Sequence, residues 1–198
     1  MILESIVTSV DADGRVNVAP MGPVVDAQLR DCVGPSTLLL RPFNSSRTYQ
    51  NLVATGKAVV HVTDDVELFA KAAVDALEPV EIQGRVRQLD QTAWWPLRDC
   101  HRWFAVEVDS ISTDQPRVDV QCRVVREETV RPFFGFNRAM FAVIEAAILA
   151  TRTHLLESCE IDQQLKRLRP LIEKTGGPTE RNAFEFLQKT IDERFASQ

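Results

Sequence analysis

Cysteine is scarce in this chain of 198 residues, and the four that occur are far apart: Cys32, Cys100, Cys122 and Cys159. No two of them form a C-x-x-C pair, so the sequence shows neither a zinc knuckle nor a dithiol redox motif. Isolated cysteines of this kind are typical of buried, reduced thiols in a cytosolic protein. We therefore expect no disulfide framework.

Long hydrophobic runs and basic segments are also missing. The longest apolar run, residues 139–150, is interrupted by Glu145 and is shorter than the ~20 residues of a membrane span. The first residues carry no basic n-region or apolar h-region of a signal peptide. The net charge of -5 argues against binding to nucleic acid or to a membrane surface. These absences predict a soluble, cytoplasmic protein.

The common catalytic motifs are absent as well. The sequence has no Ser-His-Asp order, nucleophile elbow, H-E-x-x-H or G-x-G-x-x-G motif, and its three histidines are far apart. This disfavours a hydrolase, a zinc enzyme or a Rossmann dehydrogenase. We nominate no catalytic residue and no metal ligand.

The most informative stretch that is present runs from Leu38 to Asp65. It reads as a buried strand, a polar turn that opens a short helix, a stop at Gly56 and a second buried strand. Helix N-terminal N–H groups, hydroxyl groups and guanidinium groups together suit a phosphate or another anion. An ordinary helix N-cap with solvated arginines explains the same residues, and the spacing leaves both interpretations open. The residues concerned are Arg41, Asn44, Ser45, Ser46, Arg47 and Thr48.

The rest of the first 130 residues predicts about seven strands with short helices between them. Such a pattern favours a closed antiparallel barrel, a mainly β fold with some α. We expect a helix at Val66–Leu77. Strands are expected at Ile2–Val10, Arg15–Ala19, Val24–Arg30, Pro79–Leu89, Arg102–Ile111 and Arg117–Val125, besides the two that flank the polar turn.

The composition changes near Pro132, after which three helices are predicted: Asn137–Ser158, Ile161–Lys174 and Pro178–Phe195. The first is apolar around most of its circumference, so we expect it to be buried, with an interface between subunits as one setting. We divide the chain into a barrel domain, residues 1–130, and a helical extension, residues 131–198, that packs on the barrel or at a dimer interface.

Several of these segments resemble a known family. The chain has Ala-Pro-Met-Gly at 19–22, Arg-Pro-Phe-Asn-Ser-Ser-Arg-Thr-Tyr-Gln-Asn-Leu at 41–52, and Gly-Lys-Ala-Val-Val-His-Val-Thr-Asp-Asp at 56–65. This order resembles the FMN-binding split-barrel superfamily, both flavin reductase-like and pyridoxamine 5'-phosphate oxidase-like. The segments at 137–139, 143–146 and 150–152 resemble the C-terminal signature of a prokaryotic family, domain of unknown function 447.

The resemblance implies an FMN-binding split β-barrel with a C-terminal helical extension. It makes the polar turn a phosphate site, because Asn44, Ser46 and Arg47 match the residues that hold the FMN phosphate in the oxidase branch. Thr48 stands where those proteins have lysine, and Arg41 is the candidate to replace that charge. The resemblance further implies that Met21 and Gly22 lie along the flavin ring. Weaker candidates for ring or ribityl contacts are Thr63 and Asp64.

The function implied is that of a homodimeric flavin-dependent oxidoreductase, acting on a small molecule or on flavin itself, with a nicotinamide as a possible electron donor. The alternative is a non-catalytic protein that binds FMN or a related phosphorylated ligand. A third reading is a structural dimer with a vestigial anion site. For His61, which alternates with valines in a strand, a hydrogen-bonded structural role is favoured over a flavin contact.

Overall fold

The computed structural model describes residues 1–26, 29, 36–113 and 118–197. The chain divides into two compact units. The barrel unit comprises Met1–Thr63 and Glu78–Phe133, and the helical unit comprises Asp64–Leu77 and Phe134–Gln198. The helix that follows the polar turn's second strand therefore belongs with the C-terminal helices.

Seven strands form one antiparallel sheet in the barrel unit, in the order β2-β1-β5-β6-β7-β4-β3. An isolated bridge between Ile2 and Val24 joins the residues before β1 to β3, so the sheet curls back on itself. The curled sheet confirms the predicted barrel-like, mainly β fold. The strands are β1 (Ser5–Val10), β2 (Val16–Met21), β3 (Val24–Val25), β4 (Thr37–Leu40), β5 (Lys57–Val62), β6 (Arg102–Ser112) and β7 (Asp119–Thr129).

Six helices complete the described part of the chain. The barrel unit contains α1 (Arg47–Thr55) and α3 (Pro79–Arg85), and the helical unit contains α2 (Val66–Ala73), α4 (Arg138–Ala150), α5 (Ser158–Thr175) and α6 (Pro178–Ala196). None of the helices described is long and apolar enough to cross a membrane.

The strand expected at Pro79–Leu89 is wrong, because residues 79–85 form α3. Pro79 lies in the first turn, where its missing N–H costs nothing, and Glu81 pairs with Arg85 one turn on. None of the residues of α3 is buried, so the alternation of Val80 and Ile82 does not mark two faces of a sheet. Only after α3 does the backbone extend, and Val86 forms a single antiparallel bridge with Leu97.

Several other predicted elements differ in length from the observed ones. The helix expected at Val66–Leu77 ends at Ala73, and the strand expected at Ile2–Val10 begins at Ser5. Only Val24–Val25 of the strand expected at Val24–Arg30 is a strand, and Ala27, Gln28 and Arg30 lie outside the described residues. The helix expected at Asn137–Ser158 ends at Ala150 and is followed by turns.

The barrel interior is apolar and is formed by side chains from several strands. The core includes Val7, Leu40, Val60, Phe104 and Val120, all nearly or fully buried. Helix α1 contributes Leu52 to this cluster. The packing of α1 through Leu52 fixes the position of the helix, and therefore of the polar turn at its N-terminus.

The helical unit is held together by small residues on α4. Ala139, Ala142, Ala146 and Ala147 let α5, α6 and α2 approach closely around a core that includes Phe184. The guanidinium of Arg194 donates to the carbonyl oxygens of Ala150 and Val74, at the C-terminal ends of α4 and α2. A cation there satisfies carbonyl groups that have no partner within their own helices.

Candidate functional site

The polar turn folds as a helix N-cap. Ser46 is the N-cap of α1 in an extended conformation, and its Oγ accepts from the Tyr49 N–H at 3.2 Å. The same hydroxyl donates to the Phe43 carbonyl at 2.8 Å. At the other end Gly56 ends α1 with a φ of 65°, a conformation that glycine adopts without strain. The Ser46 hydroxyl is thus already engaged as both donor and acceptor.

Three polar groups beside the cap are exposed. The side chains of Asn44, Ser45 and Arg47 all reach solvent. Within the described part of the chain, the Asn44 amide and the Ser45 hydroxyl have no hydrogen-bond partner, and neither has the backbone N–H of Thr48. An unfilled N–H group in the first turn of a helix, with a guanidinium nearby, provides a place where an anion is favoured.

Arg41 is occupied. Its Nε donates to a carboxylate oxygen of Asp119 at 2.9 Å, and both side chains are about half exposed. An exposed pair of this kind contributes little stability and can rearrange. Nevertheless, the carboxylate beside Arg41 offsets the charge that Arg41 was expected to supply in place of the missing lysine.

The Thr48 side chain points away from solvent. It is 2% exposed, and its Oγ1 accepts from the Asn17 side-chain amide at 3.1 Å, which ties α1 to β2. One turn further, the Asn51 amide donates to Ser9 Oγ of β1 at 3.0 Å. The residue at the lysine position therefore links the helix to the sheet through its hydroxyl.

Met21 and Gly22 lie at the end of β2. Met21 packs against the barrel core, and its carbonyl accepts from the Ser5 hydroxyl at 2.6 Å. A Cβ added to Gly22 would lie 2.6 Å from Cγ2 of Ile2, next to the bridge that curls the sheet. The close backbone approach predicted at Gly22 is thus present, and its neighbour in this structure is the N-terminal segment.

Thr63 directly follows β5 in the barrel unit and is half buried. In the strand register, Ser5 pairs with Met21 and Ile6 pairs with His61. The ends of β2 and β5 therefore lie on either side of the beginning of β1, which places Met21 and Thr63 at one end of the sheet. Asp64 begins the helical unit, where its carbonyl accepts from the Val66 N–H at 2.9 Å.

The predicted site residues consequently fall into two groups in the barrel unit. The polar turn sits beside Asn17 of β2, whereas Met21 is four residues further along the same strand. At about 3.3 Å per residue, the two levels are about 13 Å apart along the strand. The sheet thus places a polar turn and a partly apolar strand end at separate points along one strand.

His61 lies in the interior, and both of its ring nitrogens form hydrogen bonds. Its Nε2 accepts from the Leu97 N–H at 3.0 Å, so Nδ1 carries the proton and donates to the Ile6 carbonyl at 2.9 Å. Burial lowers the pKa of His61 to about 4. The structural role favoured for this histidine is confirmed, because both ring nitrogens are engaged with backbone groups.

Burial also shifts the pKa values of two cysteines. Burial raises the pKa values of the Cys100 and Cys122 thiols to about 12, so both are protonated near neutral pH. Cys159 is exposed, which corrects the expectation that all four thiols are buried, and Cys32 lies outside the described residues. Among the described side chains, no three of the His, Cys, Asp or Glu type are grouped to hold a metal ion.

The sequence did not indicate which residues form hydrogen bonds with the side chains of the polar turn. Asn17 holds Thr48 and Asp119 holds Arg41, and each pair is far apart in sequence. It also missed the irregular hairpin between Val86 and Leu97, whose Trp94 indole donates to the Val106 carbonyl at 3.1 Å. These contacts follow from strand order, for which single residues give no signal.

The fold of the chain is that of the split barrel. A crystal structure of an FMN-bound protein from Methanosarcina mazei aligns with a TM-score of 0.79 at 20% identity, covering 96% of this chain and 94% of that chain. Nitrilotriacetate monooxygenase component B from Bacillus cereus aligns at 0.51 and 17% identity, covering 65% and 70%. An FMN-binding protein from Thermus thermophilus with bound 1-cyclohex-2-enone aligns at 0.53 and 13% identity, covering 66% and 72%.

The chain belongs to the family described as protein of unknown function (DUF447). The N-terminal domain model of that family matches residues 3–131, and a second DUF447 model matches residues 137–189. The Methanosarcina mazei protein is described as a member of the same family.

Proposed function

We propose that this protein binds FMN, with the phosphate at the Asn44–Arg47 turn, and that it acts as a flavin-dependent oxidoreductase on a small molecule or on flavin itself. The observation that carries the proposal is the polar turn before α1, where the unpartnered side chains of Asn44 and Ser45 are exposed close to Arg47. The FMN-bound member of the same family supports the choice of ligand.

The residues of the turn fit a phosphate. The Asn44 amide, the Ser45 hydroxyl, the Thr48 N–H and the Arg47 guanidinium provide donors of the kind that a dianion requires. Ser46 acts as a positioning residue, because its hydroxyl is engaged by Phe43 and Tyr49 and holds the turn in shape. Arg41 can join these donors only if its pair with Asp119 rearranges.

The ring would lie toward the other end of β2, near Met21 and Gly22, where the surroundings are partly apolar. A mostly apolar cradle with a few directed polar groups is typical of cofactor sites. Bound FMN supplies hydride exchange, so the reaction needs no protein nucleophile. The chain's contribution would be to hold the phosphate, orient the ring and restrict access of water.

The second candidate is FMN binding without turnover. It is favoured by the position of His61, which is fully buried with both ring nitrogens engaged by backbone groups, so this histidine cannot serve as a proton donor at the surface.

The test is a titration of purified protein with FMN and, in parallel, with riboflavin, which lacks the phosphate. The proposed site predicts that FMN binds at least about tenfold more tightly, since charge-assisted hydrogen bonds of about 2 kcal/mol are at stake. Equal affinity would contradict the phosphate site. Consumption of NADH or NADPH by the FMN-loaded protein then separates an oxidoreductase from a binding protein.

A further inference from the structure

Arg41 and Asp119 stand opposite one another on two neighbouring strands. In the pairing of β4 with β7, Leu40 lies opposite Val120, so the next residues along, Arg41 and Asp119, meet where the two strands end. Leu40 and Val120 are fully buried in the barrel core. Because side chains alternate between the two faces of a strand, Arg41 and Asp119 point away from that core. Their ion pair therefore lies on the outer face of the sheet.

The same pair lies next to the polar turn. The Val118 N–H donates to the Pro42 carbonyl at 3.0 Å, which ties the start of β7 to the residue that follows Arg41. Two residues separate Arg41 from Asn44, where the polar turn begins. Asp119 is thus held beside the segment that leads into the candidate phosphate site, although it comes 78 residues after Arg41 in sequence.

The guanidinium of Arg41 has donors to spare. Its Nε donates to a carboxylate oxygen of Asp119, and within the described part of the chain neither side chain forms another hydrogen bond or ion pair. A guanidinium carries five N–H donors, so most of those of Arg41 remain for another acceptor. The side chain of Arg41 is 48% exposed. Arg41 can therefore turn toward a second anion without leaving a packed position.

We propose that Asp119 is a positioning residue for the phosphate site, which holds Arg41 before FMN binds and releases it to the phosphate when FMN arrives. This inference rests on the proposed function, because it takes the polar turn as the phosphate site. The exchange supplies the positive charge that Thr48 lacks. It also means that Asp119 lowers the affinity for FMN, since its pair with Arg41 must break first.

A phosphate monoester competes well with a carboxylate for this arginine. It carries about 1.5 to 2 negative charges near pH 7 and three acceptor oxygens, whereas Asp119 carries one charge. Arginine can bind a phosphate through two parallel hydrogen bonds, while only Nε of Arg41 engages Asp119. The pair between them is exposed, and such pairs contribute little because water and salt screen them. The exchange is therefore favourable once a phosphate lies at the turn.

Removal of the carboxylate tests whether Asp119 competes with the phosphate. Asp119→Asn keeps the size of the side chain and removes its charge, so FMN should bind about fivefold more tightly. The affinity for riboflavin, which has no phosphate, should not change. Asp99→Asn is the matched control, because Asp99 forms another exposed pair of the barrel unit, with Arg131 at 2.6 Å. Unchanged or weaker FMN binding by Asp119→Asn, or an equal gain with Asp99→Asn, would overturn the proposal.

A second substitution tests whether Asp119 acts through Arg41. Arg41→Gln alone should weaken FMN binding by about tenfold, because a charged donor to the phosphate is lost. In that background Asp119→Asn should change the affinity by less than about twofold, since no guanidinium is left to release. Quenching of flavin fluorescence measures the affinities, and circular dichroism checks that each variant is folded. The same gain with and without Arg41 would mean that Asp119 merely repels the phosphate, and would refute the exchange.

The parent protein distinguishes a failure of this inference from a failure of the proposed function. If the parent prefers FMN to riboflavin but Asp119→Asn and Arg41→Gln bind FMN as the parent does, the phosphate site stands and the exchange is wrong. If the parent binds FMN and riboflavin equally, the phosphate site itself is wrong, and the exchange fails with it.

Discussion

The barrel unit and the helical unit differ in the kinds of side chain that they bury and in how those side chains interact. The barrel buries polar side chains with partners, as in Asn51 with Ser9 and His61 with the Ile6 carbonyl. The helical unit fills its core around alanines of α4, with large side chains such as Phe184 contributed by other helices. The barrel therefore combines an apolar core with hydrogen bonds between buried polar groups, whereas the core of the helical unit depends on close packing.

The surfaces of the two units both carry exposed apolar side chains. The barrel unit exposes Phe43 and Phe133, and the helical unit exposes Phe134 and Phe136. The barrel unit also exposes the polar turn at the start of α1, and such a concentration of donors suits a small anionic ligand.

The largest expected effect tests whether packing specifies the helical unit. Phe184→Ala removes a ring that is 1% exposed and should lower the free energy of unfolding by about 4 kcal/mol. Phe134→Ala, at a side chain 97% exposed, is the matched control and should change it by less than about 0.5 kcal/mol. Urea unfolding followed by circular dichroism measures both. Equal effects would remove the contrast between core and surface.

The next effect concerns the buried histidine of the barrel. The pKa of His61 is lowered from 6.5 to about 4, so between these values the unfolded state binds a proton that the folded state does not. The stabilisation is fully present above about pH 6.5 and is lost as the pH falls toward 4, by about 3 kcal/mol at most. Unfolding curves at pH 7, 5.5 and 4.5 should show the decline. The His61→Gln variant should be less stable at pH 7, and its free energy of unfolding should change less between pH 7 and 4.5. If its stability declines in parallel with that of the parent protein, groups other than His61 cause the decline.

A smaller effect is expected at the polar turn. Arg47→Ala should weaken FMN binding by about 2 kcal/mol, or about thirtyfold, since one charged hydrogen-bond donor is lost. Arg98→Ala is the matched control, because Arg98 is another exposed arginine of the barrel unit. Quenching of flavin fluorescence measures the two affinities. If both variants bind FMN alike, Arg47 does not contact the phosphate.

The smallest expected effect on stability distinguishes the N-cap residue Ser46 from its neighbour Ser45. Ser46→Ala removes the hydroxyl that accepts from Tyr49 and should lower the free energy of unfolding by about 1 kcal/mol. Ser45→Ala, one residue earlier and without a hydrogen-bond partner among the described residues, should leave it nearly unchanged. Thermal unfolding of the two variants provides the comparison. A larger loss for Ser45→Ala would mean that the cap has been assigned to the wrong serine.

Local patterns predicted much of this fold. The hairpin of β1 and β2, the strand–turn–helix around Ser46 and the helix after Pro178 all depend on nearby residues whose preferences agree with the final structure. The error at Pro79–Leu89 arose because alternating apolar residues were taken for a sheet face. There the Pro79 first turn and the pair between Glu81 and Arg85 favour a helix instead.

The candidate site was less predictable because its geometry depends on distant residues. The sequence indicated a helix N-terminus with solvated arginines in the polar turn, which is a local property, and it left open whether the turn caps the helix or binds an anion. It could not indicate that Thr48 turns inward to Asn17 or that Asp119 engages Arg41, since strand order alone brings these residues together. Likewise, the apolar character of α4 predicted burial, while only the packing of the unit shows that Phe141 remains half exposed.

The most direct test of the central claim is an FMN titration of Ser45→Asp. A carboxylate at this position suits the N-terminus of α1, so the variant should fold as stably as the parent protein. It should nevertheless bind FMN at least about tenfold more weakly, because it would lie beside the phosphate. Gln83→Asp, at an exposed position of α3, controls for the added charge. Undiminished FMN affinity in a folded Ser45→Asp protein would show that the turn is a helix cap and that the phosphate binds elsewhere.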